Sequence, residues 1–398
     1  MSPSRPRLLV ILGALSAFGP LTTDVYLPAL PALAHHFHTA VASVQLTLTA
    51  CVLGLAIGQV LIGPLSDTFG RRRPLLIGLA VFTLASLACA VAPAVWILDV
   101  ARLVQGLSGA AGLVISRAIV RDLYSGTDAA RFFSTLGAVI SIGPIVAPAI
   151  GGGILLFVAW PGVFVFLALV GAVLFAAVLF GTEETLPPGR RRPASLPLAV
   201  STYRDLLTHR RFMAYTLAAA FAFAALFAYI SASSFVYQRV FGVSPQVYGL
   251  LFGLNGLAIL ASNVVNGRLV RVHPPAVMLA YALRANATVG ALLAVAGIAG
   301  LGAAAIIPLL FAFAGTMGFI MANAITLSLE GERERAGSAS AVFGFLQFTA
   351  GAGVAPLVGL AGTSAASMGI VMGGAGVIAL GLHTVLLRSA GAQAPSVE

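Results

Sequence analysis

The sequence predicts an all-α membrane protein of twelve transmembrane helices, arranged as two six-helix bundles. Three observations carry this expectation: a composition too apolar for water, a regular series of long apolar runs, and arginines gathered almost entirely into alternate connections.

Of the 398 residues, 59% are hydrophobic and 9% are charged, whereas soluble domains carry roughly 25% charged residues. Such a chain could not cover its surface in water. The formal net charge of +10 comes wholly from arginine, because the chain has no lysine. The two arginine runs, Arg71 to Arg73 and Arg190 to Arg192, flank apolar stretches, as topology signals or lipid contacts do. Nucleic acid is therefore not an expected partner. A chain without lysine also lacks the phosphate-binding loop of an ATP-driven pump.

Apolar runs fall at 8–32, 43–64, 75–93, 95–116, 132–156 and 161–181, then at 212–235, 246–267, 276–298, 302–325, 338–360 and 365–387. Each is long enough to span a hydrocarbon core of about 30 Å at about 1.5 Å per residue. The first run contains Asp24, Pro20, Pro28 and Pro31. It exceeds the apolar segment of about 7–15 residues in a secretory signal, so it is expected to remain as span one. Short connections at 93–95, 298–302 and 360–365 make three helical hairpins. Continuous runs, not alternating segments, argue against a barrel.

Counting arginines by connection sets the orientation. One side holds Arg5, Arg7, Arg71, Arg72, Arg73, Arg117, Arg121, Arg131, Arg190, Arg191, Arg192, Arg204, Arg210, Arg211, Arg268, Arg271, Arg333, Arg335 and Arg388; the other holds Arg239 alone. Both termini are thus expected in the cytoplasm. The longest connection, at 182–211, separates an N-terminal bundle (1–185), a cytoplasmic linker (186–210) and a C-terminal bundle (211–398). Two helical repeats with a cavity at their interface are a transporter layout.

The connection after span two reads Gly63-Pro64-Leu65-Ser66-Asp67-Thr68-Phe69-Gly70-Arg71-Arg72-Arg73-Pro74. It resembles the signature loop of the major facilitator superfamily. The resemblance implies a cytoplasmic gate containing Gly63, Asp67, Gly70, Arg71 and Arg72. In it, Arg71 would pair with Asp122 and Asp67 would face the start of span eleven near Gly337 and Ser338. Span four carries Arg102-Leu103-Val104-Gln105-Gly106. An arginine inside hydrocarbon costs about 2.5–3.5 kcal/mol, which makes it a functional candidate. The stretch resembles the family's span-four motif, which implies proton coupling. Span five carries Gly143-Pro144-Ile145-Val146-Ala147-Pro148 and Gly151-Gly152-Gly153, where proline removes backbone donors and small residues admit a close neighbour. It resembles the span-five motif of drug/proton antiporters, implying a hinge at Gly143, Pro144, Pro148 and Gly152.

Three more stretches, Thr23 to Pro31, Ser116 to Asp122, and Gly337 to Ala341 with Gln347, resemble the Bcr/CflA branch, exporters associated with bicyclomycin and chloramphenicol-type compounds. The implied function is export of small amphipathic or apolar, drug-like compounds in exchange for protons, by a monomer in the bacterial inner membrane. The alternative is a proton-coupled uptake symporter. The proton gradient supplies the energy, so no cofactor is expected, and no enzymatic activity.

Depth selects the coupling residues. Asp24 lies roughly 24 Å from the cytoplasmic edge and Arg102 roughly 10–12 Å below the outer edge, within one or two turns of each other. Asp99, which departs from the family pattern, competes with Asp24 as partner of Arg102. Tyr26, Gln105, Tyr229, Phe235, Tyr237, Asn255 and Gln347 are candidate cavity residues, of a chemistry that suits weakly polar organic ligands. Cys51 and Cys89 read as small core residues. His35, His36 and His38 lack the nearby acids or cysteines of a metal site, and Glu330, Glu332 and Glu334 with Arg333 and Arg335 read as a solvated loop. Arg284 has no assigned role.

Overall fold

The computed structural model describes residues 5–124, 126–191, 196–332, 335–362 and 364–391. Arg192, Arg333 and Glu334, and the side chains of Arg5, Arg131, Arg190 and Arg388, lie outside the described residues. Among the described residues the regular structure is helical and no strand occurs. Among the described residues twelve helices or helix groups are long and apolar enough to cross a membrane, as the runs predicted.

The first span is segmented. α1 (Arg5–Ser16) and α2 (Phe18–Asp24) lead through a 3-10 turn, Leu27–Ala29, into α3 (Leu30–His36). Pro28 and Pro31 open the turn and α3, where the missing N–H costs least. The remaining N-terminal elements are α4 (Val41–Phe69), α5 (Arg72–Ala90), α6 (Val95–Leu123), α7 (Gly126–Ile154) and α8 (Pro161–Gly181). The linker contains a short helix, α9 (Leu196–Thr208). α10 (Arg210–Phe235) continues into a π turn, Val236–Val240, and is followed by α11 (Pro245–Leu269), α12 (Pro275–Ile298), α13 (Ala303–Leu329), α14 (Ala336–Leu360) and α15 (Ala365–Gly391).

The chain forms two compact units, Met1–Ala194 with Gly242–Gly256, and Ser195–Phe241 with Leu257–Glu398. In the first, α4 and α6 pack most extensively, α5 lies against α6 and α8, and the broken first span lies against α6 and α7. The α4–α6 seam is a backbone contact. A methyl group added at Gly106 would fall on the Cys51 carbonyl, and one at Gly54 on the Leu103 carbonyl. Close approach of this kind replaces the hydrophobic drive that lipid cannot supply. Cys51 and Cys89 are free and buried. Phe157, Phe180 and Val91 are largely exposed, as an apolar solvent permits.

In the second unit α10 packs on α14 and α15, and α12 packs on α13 and α15. α9 docks by burying Leu206 with Phe212, Ala339 and Val342. Beside it the supposed solvated loop is partly an ionic core. Glu332 is 3% exposed, with His209 Nδ1 at 2.5 Å and Arg335 Nε donating at 2.6 Å. Arg335 also reaches Asp205 of α9 at 3.7 Å. Among the described residues of this loop only Glu330, paired with Arg211 at 3.2 Å and exposed, fits the solvated reading. Burial would raise the Glu332 carboxyl, but the hydrogen bonds from Arg335 and His209 outweigh it and hold the carboxyl below its ordinary value.

Gly106→Val should lose stability at or beyond the upper end of the ~1–3 kcal/mol typical of overpacking, because the new atoms meet backbone; melting in detergent measures it. The lowered Glu332 carboxyl contributes fully at neutral pH, and that contribution is lost as pH falls through the lowered value. Glu332→Gln should therefore flatten the acid limb of the stability profile, while an unchanged limb would exclude this ion pair as its source.

Candidate functional site

Two polar constructions stand out in the first unit. The first is a cage around Arg102, which is fully buried on α6. Its Nη1 donates to the Thr22 carbonyl at 3.0 Å and to Gln105 Oε1 at 2.6 Å, and its Nε donates to the Thr47 carbonyl at 3.4 Å. Thr22 lies near the end of α2, where a broken helix leaves carbonyls in need of donors. The guanidinium carbon stands 4.3 Å from the Tyr26 ring centroid and 5.7 Å from that of Phe164. Contact with aromatic faces contributes about 2 kcal/mol or more when desolvated. Tyr26 hydroxyl is hydrogen-bonded to Thr47 Oγ1, and Gln105 Nε2 donates to Ser86 Oγ at 2.7 Å. One arginine thus ties together the first, second, third, fourth and sixth spans.

Among the described residues neither Asp24 nor Asp99 forms an ion pair with Arg102. Asp24, 5% exposed at the end of α2, accepts a hydrogen bond from Thr23 Oγ1 at 2.8 Å. Asp99 is half-buried on α6, and its Oδ1 is sealed without a partner. The expected carboxylate–guanidinium pairing is replaced by carbonyl and aromatic contacts, since these reach a buried guanidinium without burying a second charge. Tyr26 and Gln105, expected on a cavity wall, are fully buried and close the cage instead.

The second construction is an ionic clasp where α4 meets α5. Gly70 has φ +89°, a left-handed conformation that favours glycine, and a side chain there would meet the Glu184 carboxylate. The turn aims Arg71 inward. Its Nε donates to Asp122 Oδ2 at 2.8 Å, and its Nη1 to Asp67 Oδ1 at 2.5 Å and Ser66 Oγ at 2.7 Å. Ser66 Oγ in turn donates to the Gly63 carbonyl at 2.9 Å. Burial opposes the Arg71 charge, but Asp122 and Asp67 outweigh it and raise its pKa. Arg72 Nη2 donates to the Leu179 carbonyl at 2.7 Å.

Glu184, which the sequence reading passed over, completes the clasp. Its carboxylate accepts from the backbone N–H of Arg71 at 2.8 Å and of Arg72 at 3.2 Å. An acid at a helix start is favoured by the unsatisfied donors there. Its readable signal was the acid pair Glu183-Glu184 directly after the sixth apolar run. Phe164, Thr47 and Ser86 gave none.

Of the proposed hinge, Pro144 and Pro148 lie inside an unbroken α7. A methyl group at Gly143 would lie 2.7 Å from Pro20 Cβ, and one at Gly152 2.8 Å from the Pro245 carbonyl oxygen. Gln246 Nε2 donates to the Gly152 carbonyl at 3.1 Å. Tyr229 and Phe235 are buried on α10, as Asn255 is on α11. Gln347 is half-buried, with Nε2 3.7 Å from Met321 Sδ. His36 packs edge-on against Trp160 at 5.3 Å, and His35 stands 6.0 Å from His38.

Residues 10–356 match the family profile described as Major Facilitator Superfamily. The chain belongs to the major facilitator superfamily. It is 42% identical over 371 residues to an uncharacterized MFS-type transporter, YdgK, of Bacillus subtilis, covering 92% of each chain. It is 33% identical over 373 residues to a bicyclomycin resistance protein homolog of Haemophilus influenzae, covering 94% of each. The crystal structure of a bacterial homolog of the human lysosomal transporter Spinster superposes with a TM-score of 0.75 at 17% identity over 98% of both chains, a likeness of fold. This superfamily member is a multi-pass membrane transporter, not an enzyme.

Arg102→Gln should lower the melting temperature measurably, because the carbonyls it serves lose donors at about 1–3 kcal/mol each. Asp24→Asn, nearly isosteric and outside the cage, should lower melting less than Arg102→Gln, because the amide oxygen can still accept from Thr23. Equal losses in both variants would show that the two residues act as one structural unit.

Proposed function

We propose that this transporter exports small amphipathic or apolar, drug-like compounds in exchange for protons, as a member of the Bcr/CflA branch in the bacterial inner membrane with both termini cytoplasmic. The observation that carries the reading is full-length similarity to a relative named for bicyclomycin resistance. The Gly-Pro pattern of α7 supports export over uptake.

Asp24 is the proposed proton carrier. It sits where the first span breaks, and discontinuous helices recur at ion and substrate sites of secondary transporters. Its carboxylate has no arginine partner among the described residues, so it can take up and release a proton without dismantling the Arg102 cage. Asp99, with its sealed and unpartnered oxygen, is the second carboxyl on the proposed route. The proton gradient drives the cycle, and the reading invokes no cofactor.

Expression in an efflux-deficient bacterium against a compound panel tests the reading. Resistance should rise, and a protonophore should erase it. Increased accumulation of a compound would point to uptake instead. Asp24→Asn should reduce proton-driven export to background at normal protein levels; export at the parent rate would remove Asp24 from the coupling step.

A further inference from the structure

Arg284 has no part in the transport reading. It lies on the exposed face of α12, nine residues after the helix start at Pro275, or about 14 Å along the axis. Its neighbours at helical spacing, Val277, Tyr281, Leu292 and Val295, are apolar and exposed. The guanidinium carbon stands 5.6 Å from the Tyr281 ring, one turn nearer the helix start. Side chains lean toward the start of their helix, so the charge is carried toward the exposed Arg271 and His273.

No protein acid is at hand to balance this charge. The sequence holds no Asp or Glu from Leu206 to Leu329, nor from Arg335 to Val397, so α10 to α15 contain none. Among the described residues Arg284 has no ion-pair partner.

The neighbouring helix supplies a second polar group. α12 and α15 run in opposite directions, with Gly290 beside Gly373 and Ala287 beside Gly376. Continued by two turns, this register sets His383 level with Ala280, next to Tyr281 in the chain. His383 is 6% exposed, and neither ring nitrogen has a hydrogen-bond partner. An imidazole that packs 6.1 Å from the Tyr215 ring of α10 but has no hydrogen-bond partner, one turn from the level of an unbalanced guanidinium, is an incomplete polar site.

We propose that the outer face of α12, where it meets α15, binds the phosphate of an anionic phospholipid, with Arg284 as the charge partner, Tyr281 as the interfacial anchor and His383 as a hydrogen-bonding group behind them. Basic positions between transmembrane helices suit such headgroups. The flanking apolar stripe favours a phosphate that carries acyl chains over a free ion. The site does not depend on what is transported.

Native mass spectrometry of the purified full chain tests this, with phosphatidylglycerol and phosphatidylcholine supplied in equal amounts. The parent should retain phosphatidylglycerol preferentially. Arg284→Gln should cut that preference about five-fold. Arg284→Lys should keep most of it, and Arg211→Gln, at an exposed arginine paired with Glu330, all of it. Parent-like selectivity in Arg284→Gln would overturn the proposal, as would displacement of the lipid by excess glycerol phosphate, which would mark a site for free phosphate. Should Arg284→Gln fail to fold in phosphatidylglycerol-free detergent, His383→Gln replaces it: reduced selectivity supports the site and unchanged selectivity refutes it.

Discussion

A guanidinium buried without a carboxylate organises the first unit. Arg102 reaches the backbone of two other spans, a glutamine on its own helix and two aromatic faces. In lipid, helix association has little hydrophobic drive and relies on close packing and polar contacts. The cage supplies the polar contacts and the α4–α6 glycine seam supplies the packing. The seam brings α4 and α6 together where Thr47 and Arg102 must meet. The break in the first span, made by its prolines, provides the Thr22 carbonyl. A feature that weakens one helix thereby becomes the attachment point for another.

Carbonyl dipoles and ring faces hold Arg102 without fixing a negative charge beside it. That leaves the nearby acids chemically independent. A salt bridge between Asp24 and Arg102 would have made proton uptake compete with a structural contact; in the observed arrangement the acid is held by Thr23 alone among the described residues. The separation of the two residues is what gives the proton-carrier reading its physical basis.

Each unit also has an ionic clasp of its own at the ends of its helices. In the first, Glu184 caps the start of α5 while Arg71 joins Asp67 and Asp122. In the second, Glu332 joins His209 and Arg335 beside the docked α9. Both contain a nearly buried charge whose partners come from more than one segment, an arrangement that makes removing one partner costly. Unlike the cage, each clasp includes an exposed member, Asp67 in one and His209 in the other, so salt screens part of it.

The twelve spans and their composition were legible in the sequence because lipid imposes a length and an apolarity that local residues must meet. The Arg71–Asp122 pair was legible by resemblance, since its residues sit in a distinctive loop and at the end of span four. Tyr26 and Gln105 were read as cavity wall and Glu332 as solvated, because exposure depends on neighbours from distant segments. The partners of Arg102 were also hidden: a guanidinium buried in a helix bundle can be met by an acid, a carbonyl or an aromatic face, and periodicity does not distinguish them. The sequence by itself determined the solvent, the number of spans and the residues too costly to leave unpaired. Only the tertiary structure decided which groups pair with them, because that choice rests on contacts between helices far apart in the chain.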